Sequence, residues 1–281
     1  MDITDFAEGR PWAITPCALD MLVKRMESFR ADSKEIQAAF SLMASDQTES
    51  EYEMVNGVAI IPISGAITKG FSFLSFLFGG TAITDLRRQF SAALNDPAVK
   101  AIVFVFDSPG GTVSGVNSLA SDIFAARGQK PIVSFADGQM ASAAYWIGSS
   151  AHLIVAESTA ILGSIGTLAE HREFSKADEL QGIKRTYIAS GKFKALGNDA
   201  EPLGAEARNM IQGMMDYLYS IFVDAVARNR EVPVETVLSD MADGRDLIGK
   251  QAVDAGLADV VGTLGTAVEL ALIMVNDNQI K

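Results

Sequence analysis

With two histidines and a single cysteine, this chain has few conventional ways to activate a nucleophile. His152 opens an apolar run after Ser149-Ser150-Ala151 and is expected at an exposed strand end. His171 lies in Glu170-His171-Arg172-Glu173, a charged stretch expected at a solvated surface, so neither favours a Ser-His-Asp triad. The sequence contains no G-x-S-x-G elbow, H-E-x-x-H pair, Walker loop or G-x-G-x-x-G after a strand. The remaining route is a serine whose proton is taken by a lysine. Lysine serves as a base near neutrality only when burial in an apolar pocket lowers its pKa from about 10.4.

Two segments suit that chemistry. In Asp107-Ser108-Pro109-Gly110-Gly111 the paired glycines allow a sharp turn and leave backbone N–H groups free. Such donors, aimed at one point, stabilise the oxyanion of a tetrahedral intermediate. Taken alone, the same residues make a plain β-turn. In Gly138-Gln139-Met140-Ala141-Ser142-Ala143-Ala144-Tyr145, Ser142 opens a helix after a strand. Small neighbours leave room for a substrate carbonyl, and a helix start favours developing negative charge. Taken alone, this is equally a site of close helix packing. Lys192 and Lys194 stand two apart, so an extended segment would point both the same way and their spacing does not choose between them.

The elements that would position these residues follow from periodicity. Gly57–Ile63, Ala101–Phe106 and Pro131–Ala136 are near-continuous apolar runs, expected as strands buried on both faces, with His152–Ala156 and Lys184–Ala189 as further strands. Helices are expected from Thr81 as a cap, over about Val113–Arg127, Ala141–Ser149, Ala205–Arg230 and near Val234–Met241. The alternation implies an α/β fold of stacked parallel β-α-β units. Residues 1–50 carry apolar residues at helical spacing and are expected as a helical extension, residues 51–270 as the main domain and 271–281 as a tail.

The chain has 281 residues, 35 acidic against 23 basic, and a formal net charge of −12, which argues against a nucleic-acid partner. Cys17 alone permits neither an intrachain disulfide nor a thiolate cluster, and is expected to be a buried or half-buried bland thiol. The acidic start lacks a secretory apolar region, and the apolar run Phe71–Phe78 is shorter than the roughly 20 residues a membrane span needs. That run is expected either in the core or as an apolar lip on a cleft. A soluble, cytoplasmic protein without a membrane anchor, cofactor or metal is the expectation.

In order and spacing, these segments together resemble the signal-peptide-peptidase-A type of serine peptidase, the S49 family, over about Gly57 to Gly265. The pieces are the Val58–Gly65 strand, Asp107-Ser108-Pro109-Gly110-Gly111, Met140-Ala141-Ser142-Ala143-Ala144-Tyr145, Leu162-Gly163-Ser164-Ile165-Gly166, Ser190-Gly191-Lys192-Phe193-Lys194, Asp243-Gly244-Arg245 and the run Gly249–Asp259. The resemblance implies a Clp-protease/crotonase-like fold and a Ser-Lys dyad acting through an acyl-enzyme. It implies Ser142 as nucleophile, Lys194 as base, Ser164 as the hydroxyl that holds the lysine amine, and an oxyanion hole from the N–H groups of Gly111, Gly110 and Ala143. The family usually carries two glycines after the serine, where Ala143 and Ala144 stand here, so a slightly narrower cleft is expected.

The opening Pro11-Trp12-Ala13-Ile14-Thr15-Pro16 with a short helix resembles the phage and prophage head-maturation branch, the minor-capsid-protein-C type. That implies polypeptide substrates such as scaffold, capsid or portal proteins, a homo-oligomer with active sites near subunit contacts, and a place in the host cytoplasm or procapsid interior. Alternatives are a general cytoplasmic peptide- or signal-peptide-degrading peptidase, a crotonase-like acyl-CoA enzyme, and a capsid component without turnover.

Overall fold

The computed structural model describes residues 11–28, 52–70 and 79–278. In chain order it contains β1 (Trp12–Ile14), α1 (Pro16–Ser28), β2 (Glu53–Val55), β3 (Val58–Ser64), β4 (Ile67–Thr68), β5 (Thr81–Ala82), α2 (Ile83–Asn95), β6 (Ala101–Ser108), β7 (Gly110–Thr112), α3 (Val116–Ala126), β8 (Ile132–Ala141), α4 (Ala143–Gly148), β9 (Leu153–Ala156) and β10 (Ile161–Gly163). Then follow α5 (Ser175–Leu180), α6 (Ala205–Arg230), α7 (Val234–Thr236) with a π-turn to Met241, β11 (Asp246–Ile248), α8 (Lys250–Asp254), β12 (Val260–Val261) and α9 (Leu264–Asn278).

A large sheet runs β11-β10-β8-β6-β3-β2, with β9 and β12 joined through β8. Its centre is parallel, as β-α-β crossovers require, and only β2 and β11 pair antiparallel. The apolar runs are buried on both faces because each face has its own helical cover. Val58, Ile60, Val103, Val133 and Phe135 face Ala267, Val268 and Ala271 of α9. The alternate residues Ile61, Ile63, Ile102, Phe104 and Phe106 meet α2, α3, α4 and α6 across the main core. A second, smaller sheet runs β1-β7-β4-β5 and stands over the carboxyl ends of these strands.

Helix α4 is held from three directions. Trp146 stacks on Phe222 of α6 with ring centroids 4.3 Å apart and planes 7° from parallel. Tyr145 donates its hydroxyl to Leu257 O at 3.0 Å, and Asn229 Nδ2 donates to Ser149 Oγ at 2.9 Å. Arg230 forks onto Asp259 at 2.7 and 2.9 Å, tying the end of α6 to the same C-terminal loop.

Several expectations are corrected. Trp12–Ile14 is a strand of the second sheet, so the opening is not wholly a helical extension; its remainder, residues 1–10 and 29–51, lies outside the described residues. Helix α9 runs on to Asn278, past residue 271 where a tail was expected to begin, because Ala267, Val268 and Ala271 complete the second core. Thr81 does not cap α2: it sits in β5 and uses its hydroxyl on Ser64 N and O, while the cap position is Ala82. Lys184–Ala189 forms no strand, since it finds no neighbouring edge and is largely exposed. Cys17 is exposed, on the outer side of α1. His152 is half-buried rather than exposed: its Nδ1 accepts the Ile132 N–H at 3.1 Å, and burial, with Arg127 nearby, lowers its pKa. The Phe71–Phe78 run lies outside the described residues.

Candidate active site

The site lies where both sheets meet, at the end of β8. Strands β6 and β8 stay in register to Phe106↔Ala136, then resume at Ser108↔Met140, so β8 bulges over Asp137-Gly138-Gln139. A bulge re-aims the strand that carries it. It brings the Gly138 backbone so close to Asp107 that a β-carbon on Gly138 would lie 2.6 Å from Asp107 Oδ1. Beyond the bulge the chain reaches Ser142.

Ser142 is 1% exposed and has φ 53° and ψ −118°, a conformation costly for a residue with a side chain. Its N–H donates to Gly163 O at 2.8 Å, and its carbonyl accepts the Trp146 N–H at 2.9 Å, opening α4. The strand thus breaks sharply into a helix at one serine. Strained strand-to-helix turns of this kind present a hydroxyl to a cleft.

Opposite stands Ser108-Pro109-Gly110-Gly111. Ser108 Oγ donates to Gly65 O at 2.6 Å and accepts the Gly110 N–H at 3.2 Å. Gly110 therefore contributes through its missing side chain, with its N–H already engaged, and not as the free donor expected from the turn. A β-carbon on Gly110 would lie 2.2 Å from Ala13 O, 3.0 Å from Ala143 N and 3.0 Å from Ser142 Cβ. Three atoms from two segments, β1 and the start of α4, surround that point. Gly111 is as tightly held: a β-carbon there would meet Ile67 O at 1.8 Å.

Ser164 follows the residue that pins Ser142, because β10 pairs with β8 at Gly163↔Ala141. Ser164 also has positive φ (51°), and its N–H donates to Arg245 O at 2.7 Å. Across β11, Asp246 is opposite Gly163. Partial desolvation pushes the Asp246 carboxyl up from the ordinary range, and the Ser164 hydroxyl facing it pulls the other way. Asp246 was not singled out from the sequence; its signal was its place immediately after Asp243-Gly244-Arg245.

The lysines stand apart from this cluster. Lys192 pairs with Glu206 at 2.6 Å on the surface. Lys194 is exposed in the irregular stretch 183–198, its backbone N–H on Gly191 O at 3.1 Å. Among the described residues, no hydrogen bond joins its amine to Ser142. A cavity of about 650 Å³, lined in part by Thr167, Leu168, His171, Asn198, Arg208 and Met215, separately adjoins this stretch. Among the described residues, no group of three or more His, Cys, Asp or Glu is placed to hold a metal, and no helix is long and apolar enough to cross a membrane.

Residues 125–276, which carry Ser142, Ser164 and the 190–194 segment, match the family model described as Peptidase family S49. The chain belongs to peptidase family S49. This S49 chain is 31% identical over 230 residues to the capsid assembly protease C of Escherichia phage lambda, an alignment covering 81% of the chain and 52% of that protein. It is 29% identical over 215 residues to the chloroplastic serine protease SPPA of Arabidopsis thaliana, covering 76% of the chain and 32% of that protein. The S49 chain thus spans about half the length of the phage relative and about a third of the plant one. Among solved structures, a membrane-bound stomatin-specific protease aligns with 77% of this chain and 85% of its own, at 16% identity and a TM-score of 0.45.

Proposed function

We propose that this S49 chain is a serine endopeptidase in which Ser142 is the nucleophile and Lys194 the general base. The observation that carries the reading is the convergence of Ser142 Cβ and Ala143 N on the space left by Gly110. A scissile carbonyl entering there meets the serine hydroxyl on one side and backbone donors on the other. Neutral Lys194 takes the hydroxyl proton as the serine oxygen adds to the carbonyl carbon. The oxyanion is held by the Ala143 N–H together with that of Gly111, which is freed when the Ala13 carbonyl opposite it is displaced. As the tetrahedral intermediate collapses, the C–N bond breaks, the leaving amine takes the proton from Lys194, and an ester on Ser142 remains. Water, deprotonated by the same amine, hydrolyses that ester.

In this reading Lys194 comes to the serine when copies of the chain assemble. The arm that carries it exposes Leu180, Ile183, Ile188 and Phe193 at 90%, 48%, 98% and 52%. Apolar exposure on that scale marks a surface that another protein covers. Burial there also supplies the desolvation that lysine needs to lose its proton near neutrality. Ser164 then positions the amine, with Asp246 beside it. The similarity to the lambda capsid assembly protease favours scaffold and capsid polypeptides of a phage or prophage as substrates.

The test is cleavage of denatured polypeptide by the assembled protein. Ser142→Ala and Lys194→Ala each abolish turnover with the fold intact, and wild-type activity rises toward alkaline pH as the amine loses its proton. Normal cleavage by the Ser142→Ala protein would refute the assignment.

A further inference from the structure

The slot in front of Ser142 is already filled, by the chain itself. Residues 11–15 run extended between two backbone edges. Toward β7, the Thr15 N–H donates to Pro109 O at 3.1 Å and Pro11 O accepts the Val113 N–H at 3.4 Å, which sets Ala13 opposite Gly111. On the other edge, Trp12 and Leu168 exchange N–H and carbonyl bonds, both at 2.9 Å. A short strand bonded on both sides in this way is held as a peptide ligand is held when it adds to open sheet edges.

Two further observations set this strand apart from a fixed wall. First, Ala13 O borders the same small space as Ser142 Cβ and Ala143 N, at 2.2, 3.0 and 3.0 Å from the β-carbon position that Gly110 lacks. Ala13 O faces the Gly111 N–H in the Ala13↔Gly111 pair, so the strand brings a peptide carbonyl, held as a bound peptide's would be, against Ser142 and Ala143. Second, its large side chains are anchored outside the main core. Trp12 and Ile14 pack with Leu19 and Val23 of α1 in a cluster of their own, and of the three strand residues only Ala13 belongs to the main core. The strand and α1 therefore form a small module laid against the site.

We propose that Pro11–Thr15 is a cis-bound pseudosubstrate. It masks Ser142 until displaced, and it displays the class of ligand the slot takes: an extended polypeptide with a small residue at the Ala13 position between two bulky apolar ones. This rests on the reading of Ser142 as nucleophile. Access is reduced by the fraction of molecules in which the strand is docked, so release raises the apparent rate in proportion.

The experiment compares the full chain with a full-length Trp12→Ser/Ile14→Ser variant. One readout is the rate of covalent labelling of Ser142 by a fluorophosphonate. A second, independent of catalysis, is amide hydrogen exchange of segments 110–113 and 166–170 in a Ser142→Ala background. The variant is expected to label about tenfold faster or more, as a strand docked at least about nine-tenths of the time would require. The two edge segments should lose protection while the central strands keep theirs. The blocked peptide of residues 10–16, added in trans, should reverse both effects. Equal labelling with residues 11–15 freely exchanging, no effect of the peptide, or loss of protection throughout the domain would overturn the proposal. If no form labels at all, the peptidase reading has failed, and the exchange and peptide results still decide whether the slot binds this strand.

Discussion

The backbone N–H of Ser142 donates to the carbonyl of Gly163 at 2.8 Å, and this one bond places Ser164 beside the serine. Both serines have positive φ, 53° and 51°. Adjacent parallel strands thus end in two strained serines side by side. Such strain persists only where the surrounding packing over-determines it, as Trp146 on Phe222 and Tyr145 on Leu257 O do here.

Strain at Ser142 has a measurable counterpart in stability. Ser142→Gly should raise the unfolding free energy by about 0.5–1 kcal/mol, since glycine tolerates the conformation and gives back part of the gain as chain entropy. It should also end turnover. Denaturant unfolding of the two proteins checks this; a destabilised Ser142→Gly would show that the serine is held by contacts and not against strain.

Gly110→Ala is expected to cost at least about 2 kcal/mol, combining a positive φ of 99° with a methyl that must displace Ala13 O. Activity should fall more steeply than stability, because the methyl fills the point on which the carbonyl and Ala143 N converge. Thermal unfolding and peptide turnover measured on one preparation separate the two effects.

Asp246 gives a kinetic prediction. In the assembled site proposed above, the Asp246 carboxylate stands beside the Lys194 amine and favours the ammonium, so Asp246→Asn should shift the acidic limb of the rate profile to lower pH, by up to about one unit. Ser164→Ala should instead lower the rate across the profile. An unchanged limb in Asp246→Asn would remove the carboxylate from the lysine's surroundings.

His152 should make stability pH-dependent. Its pKa is depressed in the folded state by burial and Arg127, so its contribution is complete above the unfolded value near 6.5 and is lost as pH falls through the lower folded value. Melting temperature should drop between about pH 7 and pH 5 in wild type, and less so in His152→Asn. Equal drops in both would assign the effect to other groups.

Truncating the α4 anchor tests the scaffold. Phe222→Ala removes a fully buried ring stacked on Trp146 and should cost about 3–5 kcal/mol. Peptidase activity at permissive temperature should fall as well, since Trp146 N–H closes the turn that starts at Ser142.

The central strands were legible because burial on both faces leaves continuous apolar runs, as in Ala101–Phe106 and Val58–Ile63. Helix α6 matched its expected bounds because a long stretch rich in Ala, Met and Arg, broken only locally by Gly213 and two asparagines, runs between Gly204 and a left-handed Glu231. What escaped reading depended on partners remote in sequence. Trp12–Ile14 is a strand only because Gly110–Thr112 and Leu168 offer edges far along the chain. Lys184–Ala189 has strand-like composition but no edge to join. In the candidate site, small residues after two apolar runs marked Ser142 and the paired glycines only as candidates, whose roles came from the family resemblance, whereas Asp246 is brought beside Gly163 by the antiparallel return of β11. That Gly110 spends its N–H on Ser108 depends on the Ser108 rotamer set by Gly65 O, a partner 43 residues away.

The most direct test of the account is mass-spectrometric mapping of the adduct formed by a fluorophosphonate on the assembled protein. The account predicts one modified residue, Ser142, with labelling slowed at least about a hundredfold in Lys194→Met, as loss of a general base entails, and little changed in Lys192→Met. An adduct on another serine, or equal labelling of Ser142 with and without Lys194, would contradict it.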